Sequence, residues 1–463
     1  MPEFLELDTP ALNSLLLSMS GLGLLLLAGV LLRMLVPALR RLFLPAALVG
    51  GLLGLLLGQY GLGVIPAEMS GTWSSLAGVL ISVVFAPMLL GQRIPSLRET
   101  AREASPQIWM SYFSSLIQVA VPALLVVVLL GPVFGTNPLF STIFEASWSG
   151  GHGTAAGMDE TWSELGWPEG SSLALFSATV GLVYGVVMGT VLLNIAARRG
   201  HLSGSRRSTT TAGPESDILG EPDDGQTTRS RLQTAALSNV AFHASLIAVA
   251  ILIGYLLKFL VDQVVTGVPL FPLAMIGGLV VQLVVRRTPL DALVDKPTLN
   301  SIAGVALDFL VVSAIAALSV PVMLANWAPL TIVMLAMALV SVLLYRYVGP
   351  RIFREDWAEN SIAQFGSQTG VVAIGLMLLR AADPEMRTNA YRAFALRSPF
   401  VSPFIGGGLV TSAFPLIVVH YGNLWLAVGC VVLSVLMVVV ALMTGMWRTP
   451  SRPAGTRIGA TQV

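Results

Sequence analysis

Long apolar runs separated by short polar breaks set the pattern of this chain. They cover residues 13–36, 43–63, 74–91, 107–131, 171–196, 234–259, 269–285, 302–325, 328–346, 398–420 and 424–446. Runs of this length cross about 30 Å of hydrocarbon as helices, and the ten-residue alternation of barrel strands is absent. The pattern predicts an all-α polytopic membrane protein with eleven transmembrane helices.

Two further stretches, 138–168 and 355–390, carry apolar segments too short or too polar to span. They centre on Ser149-Gly150-Gly151-His152-Gly153-Thr154 and Gly366-Ser367-Gln368-Thr369-Gly370. Each is predicted to enter the membrane and leave on the same side, as a re-entrant hairpin. Irregular backbone at that depth survives only where protein or a water-filled cavity satisfies it.

The chain also resembles itself. Leu44-Pro45-Ala46-Ala47-Leu48-Val49-Gly50-Gly51-Leu52 recurs as Phe271-Pro272-Leu273-Ala274-Met275-Ile276-Gly277-Gly278-Leu279, an offset of 227 residues. The same offset carries 74–91 onto 301–318 and 171–196 onto 398–423. Two repeats follow: 1–196 with hairpin 138–168, and 234–421 with hairpin 355–390. Each has five spans, an odd number, so the second is inverted relative to the first. Inverted repeats with broken helices meeting near the midplane are a design of secondary transporters. Segment 197–233 is polar and reads as a cytoplasmic linker, 424–446 as an extra C-terminal helix, and 447–463 as a cytoplasmic tail.

Composition sharpens this picture. Of 463 residues, 55% are hydrophobic and 11% charged, against roughly a quarter charged in soluble domains. An N-terminus outside puts Arg33, Arg40, Arg41, Arg93, Arg98, Arg102, Arg198, Arg199, Arg286, Arg287, Arg346, Arg351 and Arg354 on the cytoplasmic side and leaves Lys258 outside, as the positive-inside rule requires. Acidic Glu3, Glu6 and Asp8 precede the first run where a signal peptide would be basic, so residues 1–36 are expected to stay in the mature chain. Arginine almost replaces lysine, a bias of high-GC bacterial genomes, and the expected location is a bacterial inner membrane. Cys430 is the one cysteine, which excludes an internal disulfide. A formal net charge of +1 gives no field for nucleic acid. No P-loop, HExxH or GxSxG motif occurs, so neither an enzyme nor a nucleotide-driven pump is expected, and no organic cofactor.

A hairpin tip offers free backbone N–H groups to a carboxylate and free carbonyls to a cation. Candidate substrate ligands are therefore Ser149, Gly150, Gly151, His152, Gly153, Ser367, Gln368 and Gly370. Thr154 and Thr369 supply hydroxyl oxygens suited to sodium. His152 can bind substrate, carry a proton, or only hold its loop, and His243, alone on an apolar helix, reads as a packing residue. Asp308, inside the eighth span with no charge within one turn, is a candidate for the cation, since an intramembrane carboxylate is costly unless compensated. Glu145 and Asp159 flank the first tip and can face either the site or the outer solution. Arg397 can pair a substrate carboxylate in a bidentate fork, whereas Arg380 reads as an orientation charge.

The motif Ser149-Gly150-Gly151-His152-Gly153-Thr154-Ala155-Ala156, with Phe176-Ser177-Ala178-Thr179-Val180-Gly181-Leu182, resembles the bacterial sodium/glutamate symporter family. The resemblance implies sodium-coupled uptake of glutamate or a similar small organic anion. It also implies an elevator-like transport domain moving against a scaffold in a homodimer. The second hairpin, Gln364-Phe365-Gly366-Ser367-Gln368-Thr369-Gly370-Val371-Val372, departs from the His- and Gly-rich pattern of the best-known members, as does the eleventh span. A competing reading is an anion channel or transporter-derived sensor without coupled transport.

Overall fold

The computed structural model describes residues 9–41, 44–92, 103–202, 238–353, 356–384 and 386–448. Most of the expected linker, tail residues 449–463, and Arg93, Arg98, Arg102 and Arg354 lie outside the described residues. Every regular element among the described residues is helical. The main helices are α1 (Thr9–Leu35), α2 (Ala46–Leu57), α3 (Ala67–Phe85), α4 (Ser105–Leu125), α5 (Gly151–Gly157), α6 (Gly170–Arg198) and α7 (Asn239–Val261). They continue with α8 (Leu270–Val285), α9 (Lys296–Ala316), α10 (Trp327–Leu343), α11 (Trp357–Ala382), α12 (Ala390–Val401) and α13 (Leu409–Met443). Nine helices among the described residues are long and apolar enough to cross a membrane, while α2 and α8 are apolar but shorter. Large apolar side chains cover the outer surface, Leu24 at 70% exposure and Leu335 at 66% among them. Such a surface is costly in water and costless in lipid, so the chain is a multi-pass membrane protein.

Six helices form one bundle, in which α2 packs on α1 and α9, and α8 packs on α7 and α3. The paired glycines explain both sets of contacts. A Cβ on Gly50 would lie 2.5 Å from Leu25 O on α1, and one on Gly51 would lie 2.7 Å from Ile315 Cβ on α9. Across the 227-residue offset, a Cβ on Gly277 would lie 2.0 Å from Ala250 O on α7, and one on Gly278 2.0 Å from Ala86 O at the end of α3. Each pair thus lets one short helix press its backbone against two neighbours, the way helices associate where lipid removes the hydrophobic drive. Lys296 ties the halves together, donating from Nζ to the carbonyls of Pro87 (2.7 Å), Met88 (3.1 Å) and Leu90 (2.8 Å).

A second group holds α4, α6, α10, α12, α13 and the two glycine-rich segments. Here the helices are broken. The π-turns Val126–Leu130 and Leu344–Val348 both run into Gly-Pro, at Gly131-Pro132 and Gly349-Pro350. Proline has no N–H to give the preceding turn, and the wider turn absorbs the defect. In α11 the helix fails at Gly370 (φ −153°, ψ 37°) and Val371 (φ 63°, ψ 174°). A Cβ on Gly366 would fall 2.8 Å from Gly375 Cα, whereas residues nine apart in a straight helix are about 13.5 Å apart. The chain therefore doubles back, 357–369 against 372–382. The first glycine-rich segment also reverses, since Trp162 Nε1 donates to Thr142 Oγ1 (3.1 Å) across its tip.

Helix α13 is likewise two helices. Gly422 (φ 82°, ψ 164°) interrupts it. Met437 O accepts from Trp109 Nε1 on α4 (3.0 Å), and Gly406, just before the helix, lies one to two turns further along α4 through Glu145 and Ser115. A straight 35-residue helix would instead extend about 52 Å. The expected continuous span 398–420 needs correction: residues 402–408 between α12 and α13 are irregular, with Gly406 and Gly407 at φ 67° and 105°.

Overpacking a closed site costs about 1–3 kcal/mol. Gly278→Ala is therefore expected to lower the thermal unfolding midpoint in detergent by several degrees. Gly78→Ala, whose Cβ meets nothing within 4 Å, is expected to leave the midpoint unchanged or raise it. Differential scanning fluorimetry on both variants checks the contrast.

Candidate functional site

Helix α6 holds both reversals. Its Ser177 Oγ accepts from Ser147 Oγ and from Trp148 Nε1, both at 3.1 Å, and Thr179 Oγ1 meets His152 Nε2 at 2.9 Å. Thr179 donates its own proton to Leu175 O (3.2 Å), so the His152 ring donates at Nε2. Further along the helix from Thr179, Gly181 and Gly185, about one turn apart, accept the second reversal: a Cβ on Gly181 would lie 2.8 Å from Thr369 O, and one on Gly185 2.6 Å from Thr369 Oγ1. The Phe176–Leu182 motif is thus the seat of the two tips.

The tips touch each other. Gly151 has φ 75°, and a Cβ there would stand 2.3 Å from Val371 Cγ1 and 3.8 Å from Val371 Cβ. Val371 is itself in the left-handed region, a conformation that costs a β-branched residue about 1–3 kcal/mol and persists only where its surroundings impose it.

Helix α4 aligns the second reversal through a polar stripe. Gln107 Nε2 donates to Asn360 Oδ1 (2.9 Å), Ser111 Oγ to Gln364 Oε1 (3.1 Å) and Gln118 Nε2 to Gln368 O (2.8 Å). Arg397 on α12 closes the arrangement. Its guanidinium donates to Ser111 Oγ (2.5 Å), Gln364 Oε1 (2.9 Å) and Ser367 Oγ (2.8 Å), and lies over the Phe394 ring with Cζ 3.9 Å from the centroid. Arg397 is 4% exposed, and no described carboxylate pairs with it. Beside it lies a small pocket lined by Ser111, Ser149, Gln364, Ser367, Gln368 and Arg397, together with Val372 and Gly406.

Of the residues expected at the site, Ser149, Ser367, Gln368 and Arg397 meet at this pocket. Gly150 and Gly151 form the first bend and Gly370 the second. Gly153 packs toward Ile81 and Leu307, and His152 toward α6. The hydroxyls of Thr154 and Thr369 donate to Gly150 O (3.2 Å) and Phe365 O (2.9 Å) in their own helices. Asp308 is exposed on α9 and does not line the pocket. His243 is a packing residue: Nε2 accepts from Asp295 N (2.8 Å), so Nδ1 donates to Asn239 O (2.7 Å). Ser111 and Gln364 were not among the expected ligands, although the spacing of 107, 111 and 118 against 360, 364 and 368 marks two facing polar stripes.

With this geometry in hand, the comparison with known families decides the class. The family model described as sodium/glutamate symporter matches residues 10–358. The chain belongs to the sodium/glutamate symporter family. A symporter of this family is a membrane transporter rather than an enzyme, and binds a substrate and sodium. No curated protein matches the chain. The family match includes the first glycine-rich tip and ends as α11 begins, so Gln364, Ser367, Gln368 and Arg397 lie beyond it.

A disulfide needs Cβ atoms about 3.8 Å apart. In a Cys430→Ser background, Gly151→Cys with Val371→Cys is therefore expected to cross-link under mild oxidation. A gel-shift or mass assay that finds two free thiols would contradict contact between the tips.

Proposed function

We propose that this symporter couples sodium entry to uptake of glutamate or a similar small carboxylate, with Arg397 holding the carboxylate. The observation that carries the reading is the guanidinium itself, buried at a pocket and met only by neutral acceptors. A buried charge needs a counter-charge, and an incoming carboxylate fits the planar fork bidentately. Ser149, Ser367 and Gln368 complete the pocket.

In this reading α11 and segment 138–168 are re-entrant hairpins, α2 and α8 are short spans, and α13 is two spans. The nine apolar helices then become eleven: one is removed at α11, one is added by the break at Gly422, and two short helices are counted. The exchanged contacts of Gly50-Gly51 and Gly277-Gly278 support two repeats of one helix arrangement, which the odd span count makes inverted and the arginine placement orients with the N-terminus outside a bacterial inner membrane. The group carrying the hairpins moves, elevator-like, against the six-helix bundle, meeting it where α5 packs on α3 and α9. A homodimer formed through that bundle would keep the scaffold still.

Proteoliposomes loaded without sodium are expected to accumulate labelled glutamate or a related carboxylate only under an inward sodium gradient. Hydrogen bonds to a charged group are worth about 1.5–3 kcal/mol. Arg397→Ala is therefore expected to raise the half-saturating substrate concentration by roughly 10- to 150-fold. Uptake unaffected by removing sodium would contradict symport, and unchanged substrate affinity in Arg397→Ala would contradict its role.

A further inference from the structure

Glu145 is a second buried charge beside the same tip, and nothing in the substrate pocket uses it. It lies one turn before Ser149 in the π-turn Glu145–Ser149, and is 1% exposed. One carboxyl oxygen, Oε1, accepts from Ser115 Oγ (3.0 Å) and from Gly406 N (2.7 Å). The Thr411 hydroxyl lies beside the same carboxyl, and the other oxygen, Oε2, is buried without a hydrogen-bond partner. No described lysine, arginine or histidine pairs with Glu145.

The surroundings are rich in oxygen. The irregular segment 402–408 presses on the first tip at Gly406 and Gly407. A Cβ on Gly406 would be 3.1 Å from Ser149 Oγ and 3.4 Å from Ser149 O, and one on Gly407 would be 2.1 Å from Thr154 Oγ1. Gly407 N in turn donates to Thr411 Oγ1 (3.1 Å). The two glycines, both at positive φ, let segment 402–408 approach the hydroxyl and carbonyl oxygens of the first tip closely, at the point where Gly406 N meets the Glu145 carboxylate.

We propose that Glu145, with the Ser115 and Thr411 hydroxyls and the oxygens of the first tip, forms the site of the coupling sodium ion. The inference rests on the symport reading and deepens it. A hard monovalent cation takes oxygen ligands, and a formal negative charge among them offsets part of the cost of bringing it into a membrane interior. Glu145 supplies that charge, which sequence reasoning assigned to Asp308. Glu145 is behind Ser149 and Gly406 rather than among the pocket-lining residues, a placement that fits a small ion and not the ammonium group of a substrate. A shared wall at Ser149 and Gly406 lets the ion fix the first tip against the substrate pocket.

Purified protein in detergent, titrated with NaCl at ionic strength held constant by choline chloride, tests the site by its thermal midpoint. The parent chain is expected to gain a sodium-specific rise that Glu145→Gln loses, or shows only at about 10-fold or more higher sodium, the scale of a metal site losing an interaction. Thr411→Val is expected to shift the titration in the same direction and serves if Glu145→Gln does not fold. A parent without sodium-specific stabilisation overturns the site. So does a Glu145→Gln response equal to the parent's, or a Glu145→Gln variant that keeps its sodium response while losing binding of amino acids but not of carboxylates lacking an ammonium group. Sodium-gradient uptake on the same preparations separates the two readings: a parent stabilised by sodium that accumulates no substrate keeps the site and loses the symport.

Discussion

A guanidinium stays protonated at any pH a membrane protein meets, so burying one leaves only the choice of what surrounds it. Around Arg397 the chain places Ser111, Gln364, Ser367 and the face of Phe394, none of which carries charge. These groups solvate the cation without neutralising it. The arrangement draws on three elements at once, α4, the first arm of α11 and α12, and each is positioned by features that would be defects elsewhere. The reversal at Gly370 and Val371 turns Ser367 and Gln368 toward the pocket, and the polar stripe of α4 keeps Gln364 in register with Ser111.

Glycine serves two ends in the fold, close packing in both groups and helix breaking in the second. In the six-helix bundle, Gly50, Gly51, Gly277 and Gly278 remove side chains so that regular helices meet backbone to backbone. In the second group, Gly151, Gly370, Gly406, Gly407 and Gly422 break helices, four of them with positive φ. The first use brings helices into backbone contact, and the second leaves N–H and carbonyl groups outside regular helical pairing where the tips meet. Broken helices of this kind, buried among regular ones, are where secondary transporters present backbone polar groups to their cargo.

Much of this was legible in the sequence because length and glycine are read without knowing which way a helix faces. The apolar runs located the helices, the paired glycines located the short ones, and the tips stood out as hydroxyl-rich interruptions. What escaped was direction. When lipid and core are both apolar, periodicity no longer tells the buried side of a helix from the exposed side. Asp308 therefore read as buried when it is exposed, while Glu145 could not be assigned to the inside. The irregular stretch at 402–408 was hidden in one long apolar run, although Gly406-Gly407-Gly408 marked it.

The central claim is that Arg397 awaits the carboxylate of a substrate. A structure determined in a lipid nanodisc with sodium and saturating glutamate tests it most directly. The account predicts carboxylate density in the pocket, within hydrogen-bond distance of the Arg397 guanidinium and bordered by Ser149 and Ser367. An Arg397 paired instead with one of the protein's own carboxylates, or substrate bound away from both tips, would contradict it.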